Sequence, residues 1–134
     1  MIVLDVLGRV LLFRHARQSG RNFWAPPGGG VEDDETFEHA AAREAFEELG
    51  AANVQLRFLW ENTVDFVHIG RPVRQREQFF LASGITQTAP AAEVAEVRAR
   101  EGILEARWWT LTELDAATDA VFPEDLVARL RAVW

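Results

Sequence analysis

The sequence predicts a layered domain of mixed strands and helices, α/β or α+β. Three observations lead there. Short Val-, Leu- and Phe-rich stretches are bounded by turn residues, helical stretches are interspersed among them, and no repeat or long linker divides the 134 residues. Residues 1–134 are therefore expected to form one domain. "IVLDVLGRVLLFR" reads as two apolar strands about a turn at Gly8, and "HARQSGRNF" as a polar, Arg-rich loop. Trp24 closes a further short strand before Pro26 and Pro27. A helix follows, with Thr36 as N-cap and Gly50 as the left-handed residue that ends it. "VQLRFLWENTVDFVHI" and "VRQREQFFLASG" read as strands joined by a turn at Gly70-Arg71-Pro72. Residues 86–100 read as a loop with a helical turn, "EARWWTL" as a strand and "TELDAA" as a short helix. "PEDLVARLRAVW" reads as a closing helix with Pro123 in its first turn.

Composition narrows the classes of function. There is no Cys, hence no disulfide and no thiolate metal site, which suits a reducing, cytoplasmic setting. Asp5 and Arg9 interrupt the first apolar run, so no secretory signal is expected, and no stretch approaches a membrane span. The basic residues are all Arg and the net charge is −7, which argues against a stable nucleic-acid partner held by a basic surface. An acidic protein still acts on phosphates when a divalent cation stands between the like charges.

The stretch from Trp24 to Gly50 carries the chemistry. At about 100° per residue, Glu44, Glu47 and Glu48 share an arc of about 100° on one helix. Ala41, Ala42, Ala45, Phe46 and Leu49 form a neighbouring apolar face expected to pack on a sheet. The acidic stripe would then lie at the lip of a cleft. Three converging carboxylates suit a hard cation such as Mg²⁺ or Mn²⁺, and a Gly-rich loop leading to them admits bare backbone near a metal or phosphate. A solvated acidic helix is the plainer alternative for the glutamates taken alone.

Spacing favours the first reading. Gly29, Glu35, Arg43, Glu44, Glu47, Glu48 and Gly50 fit G-x5-E-x7-R-E-U-x-E-E-x-G-U, where U is a bulky apolar residue; chance coincidence has a probability on the order of 10⁻⁵. The chain resembles the Nudix hydrolases, whose signature this is, with Ala45 and Ala51 smaller than usual and Asp34 where Gly is common. "FWAPPGGGVE" and "ARWWTLTEL" also resemble flanking segments of that family.

The resemblance implies an α/β/α sandwich with a mixed central sheet. It also implies Mg²⁺- or Mn²⁺-dependent hydrolysis of the diphosphate linkage in a nucleoside diphosphate joined to another group. By motif position, Glu44, Glu47 and Glu48 would be the ligands, with Glu48 and Glu44 foremost and the Gly28 carbonyl a further one. Glu35 and Arg43 would pair, tying loop to helix. The general base is open between Glu44 and a later carboxylate: Glu77, Glu93, Glu96, Glu101 or Glu105. For substrate, Trp24, Trp60, Phe66 and His68 are candidates to stack a base, and Arg14, Arg17, Arg21, Arg74 and Arg76 to hold phosphates. Trp108, Trp109 and the strand Phe residues are expected in the core. His15, His39 and His68 lack metal-ligand spacing. A regulatory nucleotide-binding domain is the alternative function. An isoprenyl diphosphate isomerase is a third, disfavoured because that chemistry wants a Cys. The partner is expected to be a small nucleoside diphosphate derivative, and the protein a monomer or homodimer.

Overall fold

A computed structural model describes residues 1–16, 20–86 and 88–133. Arg17, a candidate phosphate holder, lies outside them. The strands are β1 (Ile2–Val3), β2 (Val10–His15), β3 (Phe23–Ala25), β4 (Gln55–His68), β5 (Arg71–Ser83), β6 (Ile103–Trp109) and β7 (Ala120–Val121). The helices are α1 (Phe37–Leu49), α2 (Ala91–Arg100), α3 (Leu111–Asp115) and α4 (Leu126–Val133). They form two mixed sheets rather than one central sheet, ordered β1-β5-β4 and β6-β2-β3-β7, each with one parallel pair. An antiparallel bridge between Leu4 and Val10 closes the turn that joins β1, an edge strand of the first sheet, to β2, an inner strand of the second.

The layering follows from the two-residue period of a strand. Along β2, Val10 and Leu12 join one buried cluster with Trp109, Leu114, Leu126 and Leu130, on the side of α3 and α4. Leu11 and Phe13 point the other way and join Ala45, Leu49 and Ile103, on the side of α1. A strand buried on both faces needs a continuous apolar run, and "VLLF" supplies it. Among the described residues no helix is long and apolar enough to cross a membrane.

Several boundaries differ from expectation, each for an identifiable reason. The β4–β5 turn is Ile69-Gly70, not Gly70-Arg71-Pro72, because a two-residue hairpin of this kind takes positive φ at two successive positions. Ile69 and Gly70 adopt 51° and 71°, whereas a proline ring forbids such values. Pro72 already pairs with Val67 in the ladder. Residues 91–100 form the whole of α2 rather than a loop with one turn. Ala, Glu and Arg favour helix, but Val94 is its only buried residue, so the apolar period is too weak to mark it. Finally, α4 begins at Leu126 and Pro123 lies in the turn before it. The parallel β3–β7 pairing and the bond from Phe122 N to the Trp24 carbonyl (2.9 Å) keep that segment extended until Pro123. The strand Phe residues also divide: Phe13, Phe79 and Phe80 are buried, while Phe58 and Phe66 are exposed.

Candidate active site

Helix α1 starts as its cap chemistry dictates: Thr36 Oγ1 accepts the His39 N–H at 3.1 Å. It stops at Gly50, with φ 65° and ψ 23°, whose N–H returns to Ala45 and Phe46 carbonyls. Its buried side is displaced from the one expected. Ala40, Glu44, Ala45, Glu48 and Leu49 are buried, whereas Ala42 and Phe46 are exposed. The helix has turned so that Glu44 and Glu48, two of the three grouped carboxylates, face the protein and Glu47 stays at the rim. Loop 26–31 crosses over this face and leads, with Phe37, Ala40, Ala41 and Glu44, into a cleft of about 1180 Å³. Its other walls are Glu61–Val64 of β4, Gln75–Phe79 of β5, residues 122–125 and Arg129.

Glu48 is completely buried and Glu44 nearly so. The Gly28 N–H donates to Glu48 Oε1 at 3.1 Å, and Arg43 Nη1 donates to Glu44 Oε1 at 2.9 Å. The second oxygen of each carboxylate, Oε2, is buried with no hydrogen-bond partner. Such atoms are costly unless something positive meets them. Burial first, and then the neighbouring Glu44, push the Glu48 carboxyl up to about 9. Glu101, at the junction of α2 and β6, completes the cluster. It, Glu44 and Glu48 each offer an oxygen within 4.8 Å of the others. Burial, and then Glu44, raise the Glu101 carboxyl as well. Three oxygen donors, two with unmet lone pairs, fit a hard divalent cation.

The residues named from sequence fall into distinct places. Arg43 is the hub of the loop-helix junction. Its Nε and Nη2 meet the two oxygens of Glu35 at 2.9 and 3.0 Å, and Nη2 also reaches the Gly30 carbonyl at 2.9 Å. Those bonds hold the Glu35 carboxyl down at about 2 and raise Arg43 further. Glu47 is ion-paired to Arg43 at 3.4 Å and stands outside the convergent trio. Gly29 packs against Glu44: a Cβ there would lie 2.5 Å from Glu44 Oε1. Glu77 lines the cleft on β5, opposite Asn62 in register, its carboxyl raised by burial and by Asp125.

Trp24 is not a cleft residue. It is buried, edge-on to Trp109 at 5.0 Å, with its indole N–H on Asp119 at 3.3 Å. Strand alternation turns it into the α3/α4 core and presents its neighbours Phe23 and Ala25 to the cleft instead. Arg14 pairs with Glu105 and Asp119, away from the cleft lining. Trp60 stacks on Phe79 at 4.9 Å in the core. Phe66, His68 and Arg74 lie on the outer part of the β4–β5 hairpin and do not line the cleft, nor does Arg21. Arg76 does line it, paired with Glu61 at 2.5 Å. Sequence reasoning missed Arg129, which reaches Asn62 at 3.0 Å from α4, and Phe122. Neither sits in a pattern that marks a cleft.

Arg43→Ala is expected to weaken Mn²⁺ binding about tenfold and to lower kcat while leaving KM nearly unchanged, because it frees the loop rather than removing a substrate contact. Manganese titration of the purified variant checks this; an unaltered affinity would contradict the positioning role.

Fold and site together define a three-layer α/β domain in which one helix carries paired, buried carboxylates beneath a glycine loop at the edge of an open cleft. The profile of the NUDIX domain matches residues 1–130, and the chain belongs to that family. An RNA pyrophosphohydrolase of Haemophilus ducreyi is 37% identical over 60 residues, 45% of this chain and 29% of that protein. One of Pasteurella multocida is 35% identical over the same length, again 29% of its own. The matched stretch thus spans under a third of these curated relatives. Among solved structures, a MutT NUDIX hydrolase from Burkholderia pseudomallei superposes with TM-score 0.68 at 23% identity, covering 99% of this chain and 98% of that one. A C. elegans Ap4A hydrolase in a binary complex gives TM-score 0.62 at 18% identity, over 98% and 90%. At such identities the likeness is one of fold.

Proposed function

We propose that this protein hydrolyses the pyrophosphate linkage of a small nucleoside diphosphate derivative with Mg²⁺ or Mn²⁺. The observation that carries the reading is the pair of buried, partnerless oxygens on Glu44 and Glu48, joined by Glu101, with Glu44 lining the cleft. These three residues would hold the cation; Glu47, at the rim, and the Gly28 carbonyl are further donors by motif position. Bound there, a divalent ion supplies charge neutralisation on the phosphoryl oxygens and a lowered pKa for water. The chain's own residues do the rest. Arg43 locks loop to helix, so the carboxylates keep their spacing. The glycines at 28–30 leave open backbone beside them for the diphosphate. Glu77, raised and facing the cleft, would take the proton from attacking water.

The named activity of the curated relatives, RNA pyrophosphohydrolase, lies in the same chemical class. A net charge of −7 favours a small nucleotide over a long RNA held by its backbone. The test is a panel of nucleoside triphosphates, nucleotide sugars, ADP-ribose, dinucleoside polyphosphates and 5′-triphosphorylated RNA. Each is assayed for phosphate or pyrophosphate release with Mg²⁺, with Mn²⁺ and with excess EDTA. Turnover of at least one small nucleotide, abolished by EDTA, is expected. Turnover unaffected by EDTA, or none on any member, would overturn the reading.

A further inference from the structure

Behind the carboxylates, two segments far apart in sequence are fastened together. A helix ends with carbonyls that it cannot satisfy itself. At the end of α1, two of these are taken by the segment that contains α2. The Gly50 carbonyl accepts from Thr88 N at 2.7 Å and Ala89 N at 3.0 Å. The Glu48 carbonyl accepts from Arg98 Nε at 2.7 Å. The Arg98 guanidinium also lies 4.8 Å from the ring centre of Phe13, which is completely buried on β2. Three residues beyond Arg98, at the C-cap of α2, stands Glu101, facing Glu44 and Glu48.

The geometry points to Arg98 as a positioning residue for the carboxylate site. It pins α2 to the main chain of the residue whose side chain forms the floor of that site, and so fixes the distance between Glu48 and Glu101. Glu44 and Glu48 come from one helix, so the spacing of their backbones does not depend on α2. Glu101 reaches them only if α2 is held at the right height. The planar, always charged guanidinium suits the task, donating along its edge while its face covers an aromatic ring; an ammonium cannot do both in this way. The inference rests on the reading of Glu44, Glu48 and Glu101 as the cation site.

Mn²⁺ binding to the whole protein, followed by the electron paramagnetic resonance of free Mn²⁺, tests it. Arg98→Met keeps the stem and loses the donor, and is expected to weaken binding about tenfold, with Arg98→Lys in between. In a Glu101→Ala background there is no third carboxylate to misplace, so Arg98→Met should weaken binding further by less than about threefold. Equal losses in both backgrounds, or no loss in the first, would overturn the role. If Arg98→Met does not fold, Arg98→Lys carries the same comparison. Amide hydrogen exchange of the metal-free protein separates this inference from the one beneath it. Should wild type fail to bind Mn²⁺, the cation reading falls, and exchange decides the clamp. Faster exchange of the last turn of α1 together with α2 in Arg98→Met sustains it, and unchanged exchange refutes it.

Discussion

Glu48→Gln is expected to lower turnover by about two orders of magnitude or more, on the order of 3 kcal/mol in barrier, while making the metal-free protein more stable. The two effects have one origin. Glu48 is completely buried, one of its oxygens has no partner, and Glu44 is beside it. Without a cation, the fold must either hold a proton on Glu48 that the unfolded chain gives up or bear a buried charge; with one, Glu48 is a ligand. Gln keeps the shape and removes the charge. The pH dependence follows. The Glu48 carboxyl is raised from 4.5 to about 9 in the folded protein, so between those values the folded state holds a proton that the unfolded chain has released. Stability of the metal-free wild type from this group is therefore full below about pH 4.5 and is lost as pH rises toward 9. Glu48→Gln should flatten that decline and be the more stable by at least about 1 kcal/mol at pH 8. Thermal midpoints in EDTA across pH 5–9, with turnover at saturating Mg²⁺, measure both. A rate within about threefold of wild type would mean that Glu48 holds no metal.

Gly29→Ala should leave the fold nearly intact and damage the site. The new Cβ would sit 2.5 Å from Glu44 Oε1 and 3.0 Å from its Cδ, closer than such atoms approach. Glu44 must yield. The group that yields is the end of a side chain with rotatable bonds, so stability should fall by about 1 kcal/mol or less. The displaced carboxylate, however, is one of the convergent trio, so Mn²⁺ affinity should drop about tenfold and turnover with it. Gly30→Ala is the matched control, since a Cβ there meets open space, and its Mn²⁺ affinity should hold. Equal affinities for Gly29→Ala and wild type would mean that Glu44 binds no cation from its present position.

What was legible in the sequence was local. The ends of α1 could be read because Thr36 and Gly50 act on the helix that they border. The strands of the β4–β5 hairpin could be read because β-branched and aromatic runs mark them whatever lies against them. The angular grouping of Glu44, Glu47 and Glu48 follows from the pitch of one helix, and the Glu35–Arg43 pairing from motif position. The helix wheel, however, gives only relative angles. Which part of the wheel faces inward depends on how α1 docks on the β2 face through Ala45 and Leu49. That docking buries Glu44 and Glu48, leaves Phe46 in solvent and sets Glu47 on the rim.

The same reason governs the rest. Trp24 and Phe23 are adjacent in the chain, but strand alternation sends one into the core and the other to the cleft, and only the neighbouring layers say which is which. Glu101 and Arg98 lie some fifty residues from Glu48, in a helix whose apolar period is too thin to read. Spacing along one element therefore determined by itself that carboxylates would gather on α1. Only the packing of α1, α2 and the sheets decided which of them are buried and which distant glutamate meets them, because burial and convergence belong to the contacts between elements.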